Sequence, residues 1–297
     1  MALYVHWPYC ARICPYCDFN VVRDRGRTQE QAELAQAILN DLEAQAALVG
    51  PRALASIFFG GGTPSLMPPD AVAAVVERAH ALFPSAGDIE ISLEANPTDA
   101  EAGRYAALAQ AGVNRLSMGV QSFDDAALKF LGRDHSAAEA RRAIALAGRA
   151  FPRLSIDLIY ARDVAARSSH NLHVWRGGDY LGLGPGAHGR MTLAEGRVAT
   201  VAARRIGDYV AGVAAGSPWA EREVLEPQDA DEERVLLGLR TVEGVSLSLL
   251  QRLGLSAVEG RLADLLADGF LSLKDGRIAA TATGRPLLDA VLKSLLV

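Results

Sequence analysis

Over residues 1–160 short apolar runs alternate with stretches whose apolar positions recur at helical spacing. Leu3-Tyr4-Val5-His6-Trp7 predicts a first strand. Residues 29–48 predict a helix with Leu34, Ile38 and Leu42 on one face, and Thr28 is placed to cap it. Further strands are predicted at 56–59, 89–94, 115–120 and 154–160. Helical patterns stand between them: one opened by Pro69 and Asp70 and running to Phe83, one begun at Asp99 and stopped by Gly112, and two over 125–131 and 136–147. A βαβα rhythm argues for a parallel sheet, closed as a barrel or doubly wound. Polar and glycine-rich residues recur at the C-terminal ends of these strands, where parallel α/β folds build their sites.

The rhythm stops after Tyr160. Residues 161–169 read as a polar, arginine-bearing linker, and the glycine-dense stretch 179–189 as turns and short extended pieces. A helix over 203–214 leads to Ser217-Pro218 and Glu226-Pro227, a domain boundary. Beyond Asp229 the pattern predicts three short helices, a strand at 270–273, a Lys274-Asp275-Gly276-Arg277 turn, a strand at 278–281 and a last helix from Gly284.

Composition narrows the function classes. Half of the 297 residues are hydrophobic and the net charge is −5, which allows a substantial core and argues against general nucleic-acid binding. No apolar run approaches the ~18 residues of a membrane span, and the first ten residues lack the charged start and apolar core of a secretory signal. The chain has three cysteines, Cys10, Cys14 and Cys17, spaced C-x3-C-x2-C. Without partners elsewhere they do not form a disulfide framework, and they fit a reducing cytoplasm. Two metal readings follow: a structural Cys3His zinc site completed by His6, or a metal cluster on three thiolates with one coordination position open.

The cysteine loop directly after a first strand resembles that of the radical S-adenosylmethionine (SAM) enzymes. In that family three thiolates bind three irons of a 4Fe–4S cluster, the fourth iron chelates SAM, and one electron cleaves SAM to a deoxyadenosyl radical. Tyr4-x-His6-x-Pro8-x-Cys10 is similar to the opening of the coproporphyrinogen III oxidase-like (HemN and HemW) family. Gly60-Gly61-Gly62-Thr63-Pro64, Glu94-x-Asn96-Pro97, Gly119-Val120-Gln121-Ser122, Leu131-Gly132-Arg133-x-His135 and the strand holding Asp157 resemble the later motifs in order. The resemblance implies a partial (β/α)6 TIM-like barrel over 1–160, a connector over 161–226 and a small helical, winged-helix-like domain over 227–297. It implies Cys10, Cys14 and Cys17 as cluster ligands, and Tyr4, Tyr16, Gly62, Thr63, Glu94, Gln121, Arg133 and Asp157 as the SAM site.

Two features point to the haem-chaperone branch. The oxidase carries a further cysteine two positions after the third, where this chain has Phe19, and a long segment before its first strand. His170-Asn171-Leu172-His173-Val174-Trp175 looks like the branch's HNxxYW haem motif, with Val174 in place of tyrosine, His170 as the implied haem ligand and His173 as its local rival. Haem, haem-accepting proteins and an electron donor are the implied partners. The alternatives are an oxygen-independent coproporphyrinogen III oxidase and a non-catalytic iron–sulfur or zinc protein. The chain departs from the family after Tyr160. Relatives place a Gly-Leu-Pro motif, a sixth strand and helices before the haem motif, but here His170 follows ten positions on. That is too short for a βα unit of roughly 30 residues, so the barrel is expected to lack its last unit.

Overall fold

The computed structural model describes residues 1–85, 87–159 and 168–296. These form two compact units: residues 1–159, 180–192 and 199–223 make the first, and 168–179, 193–198 and 224–296 the second.

Five parallel strands follow one another in space as in sequence: β1 (Ala2–Trp7), β2 (Ser56–Gly61), β3 (Glu90–Ala95), β4 (Arg115–Gln121) and β5 (Arg153–Leu158). The helices between them are α1 (Thr28–Val49), α2 (Pro69–Leu82), α3 (Ala102–Gln110), α4 (Asp125–Phe130) and α5 (Ala137–Ala150). Side-chain alternation gives the sheet two unlike faces. Leu3, Val5, Ile57, Phe59, Leu93, Leu116 and Met118 are buried on one. The helices bury Leu34, Ile38 and Leu42, then Val72, Val75 and Val76, then Leu108, and last Ala140, Ala143 and Ala147. Each fully buried Leu or Ile contributes roughly 1.5–3 kcal/mol, so this layer supplies the main drive to fold. The other face carries Tyr4, His6, Ser92, Glu94, Ser117 and Asp157, which leaves polar groups along the concave side of a partial barrel.

Thr28 is the first residue of α1 rather than its cap; Arg27 holds the cap position and makes no side-chain cap bond. Ser136 and Glu139 close a reciprocal capping box at the start of α5. Among the described residues β5 has β4 as its single neighbour, so no sixth parallel strand continues the barrel. Tyr160 and the 161–167 part of the expected linker lie outside the described residues.

On the other side of β1 the sheet continues with β6 (Tyr180–Leu183), β7 (His188–Leu193), β8 (Gly196–Ala202) and β9 (Trp219–Val224). Strand β6 is parallel to β1, with Leu3 opposite Leu181. The glycine-dense segment is therefore a buried strand and its turn, in line with the expected turns and short extended pieces. Gly182 is needed for close approach: a Cβ there would fall 2.1 Å from the His188 carbonyl oxygen. A helix α7 (Ile206–Ala214) follows β8, and its Tyr209 hydroxyl donates to buried Asp41 of α1 at 2.6 Å.

The second unit holds α6 (Ser169–Trp175), α8 (Pro227–Gly238), β10 (Val245–Ser246), α9 (Leu247–Arg252), α10 (Arg261–Ala267), β11 (Leu271–Lys274), β12 (Arg277–Ala280) and α11 (Leu288–Leu296). The expected two-stranded wing gains β10 as a third strand, in the order β10-β12-β11. Asp275 at φ 51° and Gly276 at φ 72° form the tight β11–β12 turn, the pairing that a two-residue hairpin of this twist favours. Val235, Leu239, Leu250, Leu262, Ile278, Leu292 and Leu295 form the core. No described helix is long and apolar enough to cross a membrane.

Candidate functional site

Strand β1 ends at Trp7, and the chain turns through Pro8 into the cysteine loop. Tyr9–Cys10 pairs with Val22–Arg23, which closes the loop at its base. Cys10 is buried, Cys14 and Cys17 are half-buried, and all three are free thiols. They line a cavity of about 400 Å³ at the C-terminal ends of β2–β5, together with Tyr16, Gly62, Thr63, Glu94, Gln121, Arg133 and Asp157. Every predicted cluster and SAM residue except Tyr4 is therefore brought to one place.

The loop after β2 is shaped by absent side chains. Gly61 has φ 106°, and a Cβ there would meet the His6 ring at 2.6 Å. A Cβ on Gly62 would sit 2.7 Å from the carbonyl oxygens of Pro8 and Tyr9. The Gly62 and Thr63 amides donate to the Trp7 and Tyr9 carbonyls at 2.8 Å each, which stitches this loop to the start of the cysteine loop. Glu94, at the end of β3, accepts from the Gly61 amide at 3.2 Å. Burial, then the neighbouring Asp157 charge, pushes the Glu94 carboxyl up to about 7. Asp157 accepts from the Ser117 hydroxyl at 2.9 Å, and Ser117 in turn meets Ser155, which accepts from Arg115.

Gln121 ends β4 at φ 70°, beside a register shift in the β4–β5 ladder. A non-glycine residue in this left-handed conformation is uncommon and needs support from its surroundings. The Gln121 carbonyl accepts from the Ile159 amide at 3.0 Å, and its side-chain amide lies over Gly119, where a Cβ would approach to 2.9 Å.

Arg133 reaches the cavity from the turn after α4. Its guanidinium donates to the Cys14 sulfur at 3.1 Å, to Asn96 Oδ1 at 2.6 Å and to the Gly119 carbonyl at 2.7 Å. Its buried Nε–H has no acceptor among the described residues. His135 is structural, buried with Nε2 against the Val120 carbonyl. Asn96 binds both Arg133 and Thr63 and lines the cavity; sequence reasoning quoted it within a motif without assigning it a place in the site.

Tyr4 stands outside the cavity lining. Its ring stacks on Phe58 with centroids 6.3 Å apart, and its hydroxyl meets His6 Nδ1 at 3.1 Å. His6 Nε2 donates to the Asn20 carbonyl at 2.8 Å. With a donor on one ring nitrogen and an acceptor on the other, His6 has no lone pair left for a metal. This overturns His6 as the fourth ligand of a zinc site. Asn20, which sequence reasoning missed, also donates through its side chain to the Pro185 carbonyl at 2.8 Å and the Arg204 carbonyl at 2.9 Å. No local pattern marks it, because its partners lie more than 160 positions away.

Among the described residues no group of three or more His, Cys, Asp or Glu side chains closes on a single metal ion. The three thiols instead surround one edge of a shared cavity. Burial first, then the Cys17 and Cys14 charges, push Cys10 up to about 11, against the hydrogen bond from Thr63. Soft sulfur donors that are spread around a cavity and repel one another when ionised suit a polynuclear cationic group better than one small ion. The residues therefore fit an iron–sulfur cluster.

The predicted haem residue lies in the second unit, on α6. His170 is buried, and burial followed by the neighbouring His173 lowers its pKa to about 4. His173 Nε2 is held by the Asp179 carbonyl at 2.9 Å. At ~100° per helical residue, His170 and His173 share a face and Trp175 points elsewhere.

A family model described as "Radical SAM superfamily" matches residues 4–162, and one described as "HemN C-terminal domain" matches residues 225–287. The bovine (Bos taurus) Radical S-adenosyl methionine domain-containing protein 1, mitochondrial, is 33% identical over 336 positions, which take in 82% of this chain and 74% of that protein. The Heme chaperone HemW of Escherichia coli (strain K12) is 32% identical over 273 positions, 67% of this chain and 72% of that one. The 336 aligned positions exceed the 297 residues of this chain, so that alignment opens gaps within it. The structure of coproporphyrinogen III oxidase (HemN) from Escherichia coli superposes with a TM-score of 0.78 at 20% identity, covering 99% of this chain and 89% of that one. At that identity the likeness is one of fold.

Proposed function

Because the chain belongs to the radical SAM superfamily, which implies a 4Fe–4S cluster and SAM, we propose that it is a haem chaperone, one that takes up haem and passes it to a haem protein. The observation that carries the cofactor part is the convergence of three free thiols and the ends of β2–β5 on one cavity. A bound cluster would supply single-electron chemistry toward SAM. Cys10, Cys14 and Cys17 hold it, and Arg133 screens the thiolate of Cys14. Gly61 and Gly62 line the cavity in a turn held against His6 and the cysteine loop, and Glu94 beside them offers a ligand's amino group a carboxylate. Arg133 lines the cavity with a guanidinium charge that suits a ligand carboxylate, and Asp157 and Gln121 face the remainder. Tyr16 covers the outer side, and Tyr4 acts from behind by fixing His6.

Two observations favour the chaperone over the oxidase. Phe19, at the position of the oxidase's extra cysteine, lines the same cavity and is 63% exposed. The named chaperone of Escherichia coli is 32% identical to this chain. His170 is the proposed haem ligand; its low pKa keeps the imidazole neutral, the form that binds iron. Delivery partners, an electron donor and a cytoplasmic setting complete the reading.

Anaerobic reconstitution with iron and sulfide tests it, followed by SAM and then by haem or coproporphyrinogen. The expected result is a 4Fe–4S spectrum perturbed by SAM, haem uptake weakened in His170→Ala, and no coproporphyrinogen turnover. Turnover would shift the assignment to the oxidase. Tight zinc without iron–sulfur absorbance would remove both.

A further inference from the structure

The second unit contains a cavity of about 420 Å³ that the cluster chemistry does not use. Its lining includes Trp175, Arg240, Arg285, Pro286, Leu287 and Asp289. It thus combines one large aromatic surface, an apolar floor and two guanidinium groups. We propose that this cavity receives the carboxylate-bearing edge of a flat aromatic ligand, with Trp175 against the ring and Arg240 and Arg285 on its acid groups. The inference rests on the haem reading above, since a haem carries two propionates on one edge of a planar ring.

The charges in and beside the cavity have unequal freedom to take an anion. Arg176, next to Trp175, is closed off by a two-point pair with Glu243. Arg285 donates one long bond to the Thr241 carbonyl, at 3.4 Å. Arg240 meets Asp289 at 3.5 Å, and that aspartate is 91% exposed. A guanidinium has five donors in a planar fork, so both arginines keep capacity for a two-point bond to a carboxylate. Among the described residues Asp289 is the one carboxylate that lines the cavity, and it competes for Arg240 from an exposed position that costs little to vacate. A small inorganic anion would use the arginines but not Trp175, Pro286 and Leu287; a flat aromatic acid uses all of them.

This division of labour differs from one in which the histidine motif alone holds the ligand. His170 faces into the unit, whereas Trp175 opens to the cavity. Acid groups and ring are then held at the Trp175 cavity whether or not the iron has an axial ligand. Metal-free porphyrin is therefore the diagnostic probe.

The full-length protein is titrated with metal-free mesoporphyrin, a dicarboxylic acid, and with its dimethyl ester, following porphyrin absorbance and fluorescence. The same titrations are run on Arg240→Gln, Arg285→Gln, the double variant and Asp289→Asn. The diacid is expected to bind, and the diester at least about tenfold more weakly, the loss typical of a charge-assisted bond. Each arginine variant should weaken the diacid by about tenfold and leave the diester unchanged. Asp289→Asn should tighten the diacid, an outcome that damage to the fold would not produce. Wild-type affinity for the diacid in the double variant would overturn the proposal. If haem itself binds that variant unchanged, the cavity assignment fails and the haem reading survives. If the wild-type protein takes neither porphyrin nor haem, the haem reading falls and this inference with it, while the cluster reading stands.

Discussion

Replacing Asn20 with alanine tests how the cysteine loop is held. Asn20 lies just beyond Cys17. Its carbonyl accepts from His6 Nε2, and its side chain donates to the Pro185 and Arg204 carbonyls. Gly186, at φ 77°, packs so closely on this amide that a Cβ there would lie 2.7 Å from it. The substitution keeps the His6 bond and removes two side-chain bonds, each worth roughly 1 kcal/mol. A loss of about 2 kcal/mol, taken as local loosening, raises the open fraction of the loop by about thirtyfold. Ferrous iron should then be lost to a chelator that much faster from the reconstituted variant, followed by bleaching of iron–sulfur absorbance under anaerobic conditions. The denaturation midpoint of the second unit should not move, because every lost bond lies in the first unit. A bleaching rate equal to that of the wild-type chain would refute the reasoning.

Three further outcomes are expected. Gly62→Ala places a Cβ against two backbone carbonyls just before Cys10, and should cost about 1–3 kcal/mol in urea denaturation and abolish the SAM-induced change in the cluster spectrum. Glu94 titrates near pH 7, so SAM affinity should rise as pH increases from 6 to 8 and the carboxylate forms; Glu94→Gln should flatten that dependence in calorimetric titration. Burial raises Asp41 to about 6, against hydrogen bonds from Tyr209 and Gln45. A folded-state pKa above the unfolded value of roughly 3.9 stabilises fully below about pH 4 and is lost as pH rises through 6, on the order of 3 kcal/mol. Asp41→Asn should remove that slope from the denaturation midpoint between pH 4 and 6.

What the sequence determined by itself was local. The first five strands and the helices between them follow from short apolar runs bounded by turn residues and from apolar positions recurring at helical spacing, because a strand buried on both faces is apolar throughout whereas a helix buries one side. The cysteine loop and the glycine turn were legible for the same reason: spacing within a few residues limits which chemistry can meet. The tertiary structure decided what lies far apart along the chain. It set Arg133 on Cys14 and Asn20 on Pro185, 119 and 165 positions apart. It showed that both nitrogens of His6 are already taken, so that a zinc reading open on spacing alone closed on geometry. It made the glycines at 182 and 184 part of a buried strand and its turn, because chain packing rather than turn preference required them bare. Periodicity reports which side of an element is buried, but only packing selects the partner that buries it.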